Sequence, residues 1–378
     1  MLDGRNGVDE EWERSLLEWH RSDHSQIAWE TLFDLRRAIL AKGMRRIPKV
    51  FIDTNHWIGM RDRHAGDGAS QYQELYAVLS EAVRENQAIC VLHQSVFSEI
   101  CKQSPASLKQ SAKLIEELTQ GICLRPRADL NRVEAFNFLS KHATEQGSQS
   151  DDVWTKIGLI LKSDFGSAIG DPRIRGNEIV MRCALDQFWL STCAGIMERF
   201  QWNTKDKLGY AISDDTLERV GELWRERSQQ GVGFSAIRAH EFNFIVTEFY
   251  GEFIREIFKA EGQDISSDDL SRFLLGVAVA LEKGQLERSL PGGRIHAELY
   301  CARERATRPL ASNDWFDFQI AAVAVPYCDF FLTEKHLRHQ LCDELKLADC
   351  YNCGVFSSVT DFISALTLHL DEDRASSQ

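Results

Sequence analysis

The chain has 378 residues, 43% hydrophobic and 27% charged, a globular composition that exceeds one ordinary domain and excludes long disordered stretches. A formal net charge of −13 excludes a broad nucleic-acid-binding surface, because phosphate contacts need Lys and Arg, but it leaves room for a local acidic metal site. The opening MLDGRNGVDEEWERSLLEWH lacks the basic start and apolar run of a secretory signal, and the longest apolar stretches, such as Leu274 to Leu281, are far too short for a membrane span.

A cytoplasmic location is therefore the expectation, with the ten cysteines reduced. Cys350-Tyr351-Asn352-Cys353 has no second pair at zinc-site spacing and reads as core thiols.

Residues 10–42 place Trp12, Leu16, Leu17, Ile27, Leu32, Leu35, Ile39 and Leu40 at mostly helical spacing, with a break near Ser22-Asp23-His24-Ser25, which predicts two N-terminal helices. The character changes at Lys49-Val50-Phe51-Ile52-Asp53-Thr54. This short β-favouring run comes after Pro48 and ends in polar residues, as a buried central strand does. Gln71 to Glu85 then has a helical period through Leu75, Val78, Leu79, Ala82 and Val83, and Ala88-Ile89-Cys90-Val91-Leu92 reads as a second buried strand. Strand, helix, strand predicts a parallel sheet with helices on its faces. Next come a helix through Glu99, another over Ser107 to Leu118 and a strand at Ile122-Cys123-Leu124.

From Ala128 to Ala311 the strand signal nearly vanishes. Long amphipathic runs take over at Asn177 to Phe200, Asp215 to Gln229, Phe234 to Ala260 and Asp268 to Gly284. The α/β pattern returns with a helix from Asp314 to Val325, strands at Phe330-Phe331-Leu332 and Gly354-Val355-Phe356, and a helix from Asp361 to Leu370. The predicted division is N-terminal helices over 1–47, an α/β unit in two parts over 48–127 and 312–378, and a helical insertion over 128–311.

Ligands of a parallel α/β sheet collect beyond the carboxyl ends of its strands. Asp53 ends the first strand, Glu99 lies in the helix after the second, and Glu334 comes directly after Phe331-Leu332-Thr333. Asp314 and Asp317 lie three apart in the first turn of a helix and share a face. Clustered carboxylates are the ligands that Mg²⁺ and Mn²⁺ prefer, and metal-assisted phosphodiester cleavage needs such ions. Arg303, Arg305 and Arg308, directly upstream, are the local basic groups available for a nucleic-acid path.

These residues resemble the PIN-domain nucleases, a family of toxin ribonucleases and RNA-processing enzymes. The resemblance rests on Phe51-Ile52-Asp53-Thr54-Asn55, Glu99, Asp317-Phe318-Gln319-Ile320-Ala321-Ala322 and Asp329-Phe330-Phe331-Leu332-Thr333-Glu334, and covers roughly 48–127 and 312–370. It implies a PIN-like three-layer α/β/α fold with a central parallel sheet, interrupted by the helical insertion. It further implies a ribonuclease dependent on Mg²⁺ or Mn²⁺, with Asp53, Glu99, Asp314 and Asp317 catalytic and Asp53, Glu99, Asp317 and Glu334 on the metal. Glu334 departs from the family, which usually has aspartate or asparagine there. Thr54, Asn55 and Thr333 stand as donors that orient ligands or waters. RNA is the implied partner, and the likeness to toxins leaves room for an inhibitor protein.

Plainer readings stand beside these. Asp314 and Asp317 suit a helix N-terminus, Asp53 a turn, Glu99 a solvated face, and Asp329 precedes its strand and belongs to the opposite edge. A phosphohydrolase with an aspartyl nucleophile needs a second acid where Asn55 stands. A PIN-like scaffold that binds RNA or a protein partner without cutting is the alternative function.

Overall fold

The computed structural model describes residues 27–64, 69–143, 152–161, 176–203, 222, 226–227, 230–305 and 312–376. The first of the two predicted N-terminal helices and nearly all of the run Asp215 to Gln229 lie outside the described residues. In chain order the elements are α1 Trp29–Met44, β1 Lys49–Ile52, α2 Thr54–Arg61, α3 Ala69–Arg84, β2 Ile89–Val91, α4 Gln94–Ile100, α5 Pro105–Thr119, β3 Ile122–Leu124, α6 Arg127–Ala143 and β4 Trp154–Lys156. The chain continues through α7 Glu178–Trp189, α8 Cys193–Asn203, α9 Phe234–Ala260, α10 Ser267–Glu282, α11 Pro291–Arg305, α12 Ser312–Tyr327, β5 Phe330–Leu332, α13 Lys335–Arg338, α14 Leu347–Tyr351, β6 Gly354–Phe356 and α15 Val359–Ser376.

The fold is mixed α/β around a small parallel sheet in the order β2, β1, β5, β6. Val50 of β1 lies opposite Cys90 on one side and Phe330 on the other, and Phe331 lies opposite Val355. All three residues of β2 and of β5 are buried, as are the last three of β1. Successive side chains point to opposite faces, so both faces are covered, and this explains why the strands read as continuous apolar runs. Phe51 and Phe331 meet edge to face with ring centroids 5.5 Å apart, each fully buried and contributing on the order of 2–3 kcal/mol.

Two local expectations need correction. β3 reaches the parallel sheet through a single bridge, Leu92 to Cys123, and otherwise pairs antiparallel with β4, a strand inside the region expected to be nearly free of them. The run Asn177 to Phe200 is two helices. Thr192 Oγ1 accepts from the Gly195 N–H (3.1 Å) and starts α8, while Ser191 donates back to the Gln187 carbonyl (2.6 Å), so local side-chain bonds break the helix.

α6, α9, α10 and α11 share a second core around Phe242, Ile245, Tyr250, Leu274 and Leu281. Arg127 and Glu134 of α6 fasten this helical lobe to the sheet unit. Arg127 donates to the Ala322 carbonyl (3.2 Å), and Glu134 accepts from the Tyr327 hydroxyl (2.6 Å) and from Tyr250. Among the described residues no helix is long and apolar enough to cross a membrane. The ten cysteines form no disulfide.

Candidate active site

The chain runs from β1 to β2 to β3 on one side of β1 and returns through β5 and β6 on the other. The strand order therefore reverses between β1 and β5, and the crevice beyond their carboxyl ends is where such sheets place ligands. Pairing continues past the strands. The Asp53 N–H donates to the Leu332 carbonyl (3.0 Å) and the Thr333 N–H to the Phe356 carbonyl (2.8 Å), which holds Asp53 and Thr333 abreast over the crevice.

Asp53 caps α2, accepting the Thr54 N–H on Oδ1 (2.6 Å), while Thr333 Oγ1 donates to its Oδ2 (3.0 Å). The Thr54 hydroxyl donates to Glu99 Oε2 from α4, and Asn55 Nδ2 donates to Glu334 Oε1. Thus each of the three polar residues beside the strand ends holds one acid. Asp317 projects from the first turns of α12, which is joined to α4 by the Ser95 hydroxyl and Gln319 (3.4 Å).

These acids feel one another. Burial raises the Asp53 pKa and the Glu334 charge adds to it, against the bonds from Thr333 and Thr54. Burial also raises Glu99, with the charges of Asp53 and Glu334 in the same sense and the Thr54 bond and Lys102 opposing. Asp317 is pushed up to about 8, first by burial and then by Asp53, Glu334, Asp314 and Glu99. Like charges gathered in a half-buried crevice are costly until a proton or a cation joins them. The donor set is all oxygen, which suits Mg²⁺ or Mn²⁺. Among the described residues no three acids, imidazoles or thiols converge closely enough to form a finished metal centre.

Asp314 is placed differently. It is buried, and Arg303 of α11 donates to its Oδ2 through Nε (3.0 Å), so this carboxylate is committed to an ion pair between lobe and sheet unit. The same ion pair corrects the expected basic path. Arg303 is only 1% exposed and turned inward, so it presents no cation to a polynucleotide. Arg305 is exposed and lies over the Phe234 ring, and Arg308 lies outside the described residues. Asp329 sits at the opposite edge, accepting the Lys49 N–H (2.7 Å) and facing its ammonium (3.1 Å).

Sequence reasoning missed His56 and Tyr72. His56 is buried on α2, three residues after Asp53, and burial lowers its pKa. Its Nε2 donates to the Thr333 carbonyl (3.3 Å), so the neutral ring accepts at Nδ1 from the Tyr72 hydroxyl (3.1 Å). Gly59 makes this possible, since a Cβ there would lie 2.3 Å from the Tyr72 ring. The available signal was the i, i+3 spacing from Asp53. Comparison with known protein families, curated proteins and solved structures finds no match to this chain.

Proposed function

We propose that the chain is a PIN-like nuclease that uses Mg²⁺ or Mn²⁺ to hydrolyse phosphodiester bonds in RNA. The observation that carries this reading is the gathering of Asp53, Glu99, Asp317 and Glu334 at the switch point of a parallel sheet, each within range of the others' charge. In this reading the two outer segments form the PIN-like three-layer α/β/α unit and the helical lobe is its insertion. Asp53, Glu99 and Asp317 would hold the cation with Glu334 beside them. When bound, the cation supplies a nucleophile at neutral pH and positive charge for the leaving oxygen.

The chain's own groups do the rest. Thr333 and Thr54 fix the carboxylate orientations, His56 fixes Thr333, and Lys102, one turn beyond Glu99, puts a positive charge next to the acids. A second reading, a PIN-like scaffold that binds RNA or a protein without cutting, draws on the lack of a converged metal-ligand group among the described residues and on the commitment of Asp314 to Arg303. Incubating the purified chain with a mixed pool of single-stranded RNA decides between them. The nuclease reading expects cleavage with Mn²⁺ or Mg²⁺ that stops on chelation, and intact RNA under every metal condition would leave the scaffold.

A further inference from the structure

With Arg303 turned inward, cations for a polynucleotide gather elsewhere. A cleft of about 520 Å³ is lined by Arg37 of α1, Arg125, Arg132 and Phe136 of α6, Asp152, and Phe253 of α9. Arg125 comes directly after β3, whose single bridge to β2 is parallel.

The cleft is built around one carboxylate. Arg125 donates through Nη1 to Asp152 Oδ2 and to the Asp152 carbonyl (both 2.9 Å), and Arg37 grips the same carboxylate through Nε (2.8 Å) and Nη2. A small anion held by one guanidinium fork and a second guanidinium is a geometry that also binds phosphate. Arg125 is more than nine-tenths buried, and its Nε has no hydrogen-bond partner. Burial lowers the Arg125 pKa, and the charges of Arg37 and Arg132 lower it further, while Asp152 and Asp129 oppose. The three guanidinium groups share the cleft with the carboxylates of Asp152, Glu256 and Glu261, and an entering phosphate would take the place of Asp152 between Arg37 and Arg125.

Arg132 is half-exposed, pairs with the exposed Glu256 (3.0 Å) and stacks over Phe253 at 5.1 Å. Phe136 is 55% exposed in the same cleft. Cations interleaved with open aromatic faces suit single strands, whose backbone takes the charges and whose bases take the rings.

We propose that this cleft is a phosphate-binding subsite for a single-stranded polynucleotide, in which the Asp152 carboxylate holds the place of a backbone phosphate until substrate enters. The substrate class rests on the proposed nuclease function; the geometry of the cleft does not.

The test measures binding of a short 3′-labelled single-stranded RNA to the full chain in EDTA, by fluorescence anisotropy over a range of NaCl. R132Q, at an exposed side chain, and R132Q combined with R37Q are expected to weaken binding, by about tenfold for the pair at low salt, and to flatten the salt slope by about 0.7 for each phosphate no longer neutralised. D152N should bind more tightly than wild type, a gain that damage to the fold does not produce. An RNA carrying a 5′-phosphate, run beside one with a 5′-hydroxyl, tells an end phosphate from a backbone phosphate as the occupant. A wild-type slope in R132Q, or D152N binding no more tightly, overturns the subsite. A chain that binds RNA through this cleft but never cuts it sinks the nuclease reading alone, and a chain that cuts with the R132Q slope unchanged sinks the subsite alone.

Discussion

Asp53 and Asp329 belong to the same pair of strands, yet they stand at opposite ends and in opposite electrostatic surroundings. Asp329 tops the amino end of β5, where a backbone N–H and the Lys49 ammonium meet its charge and pin β5 to β1. Asp53 tops the carboxyl end of β1, within range of the charges of Glu334, Glu99 and Asp317, and the Thr54 N–H and the Thr333 hydroxyl donate to it. One edge has its charge met by Lys49, and the other gathers four carboxylates with the Lys102 charge beside Glu99.

The comparison is broken most directly by swapping amides for acids. D53N should lose RNA cleavage by on the order of 10³-fold, since metal-derived charge stabilisation is worth several kcal/mol, while D329N should cut at the wild-type rate. Equal losses in the two variants would erase the distinction between edges. T333V removes a donor that orients Asp53 and should lower cleavage about 10–100-fold, with a matching rise in the Mn²⁺ concentration needed for half activity. D329N should instead cost about 1 kcal/mol of folding stability, read as a lower denaturant midpoint.

D317N should shift stability the other way and with pH. The folded Asp317 carboxyl keeps its proton up to about 8, whereas an unfolded one loses it near 3.8. Between those values the folded state binds more protons, so this group lowers stability progressively as pH rises through the window. Neutralising it should raise the Tm of the metal-free chain by about 2–4 °C at pH 8, with no gain near pH 3.5. A stability gain that is the same at both pH values would place its cause outside the cluster's charge.

Much of the sheet was legible because its strands are buried on both faces and so appear as unbroken apolar runs, Val50-Phe51-Ile52 and Phe330-Phe331-Leu332, that stop at polar residues. Asp53 and Glu334 were legible because they stand at or just beyond those stops. β4 was not, because Trp154-Thr155-Lys156 is too short to show alternation and the whole of helix α6 separates it in sequence from its partner β3. Arg303 reads as one of the basic groups of a nucleic-acid path, and only the packing of α11 against α12 turns it onto Asp314. His56 and Tyr72 depend on the space left by Gly59, a contact between two helices that neither sequence segment announces alone.

The pairing of β1 with β5 joins residues 280 positions apart, as the Thr333 bond to Asp53 shows. Synthesis from the amino end makes Asp53 and Glu99 early, then the whole helical lobe, and only afterwards Asp317, Thr333 and Glu334. A contact of such long sequence separation forms late, after the costly closure of the loop between its ends. The acidic crevice is thus withheld from a nascent chain until α12 and β5 have emerged and closed that loop.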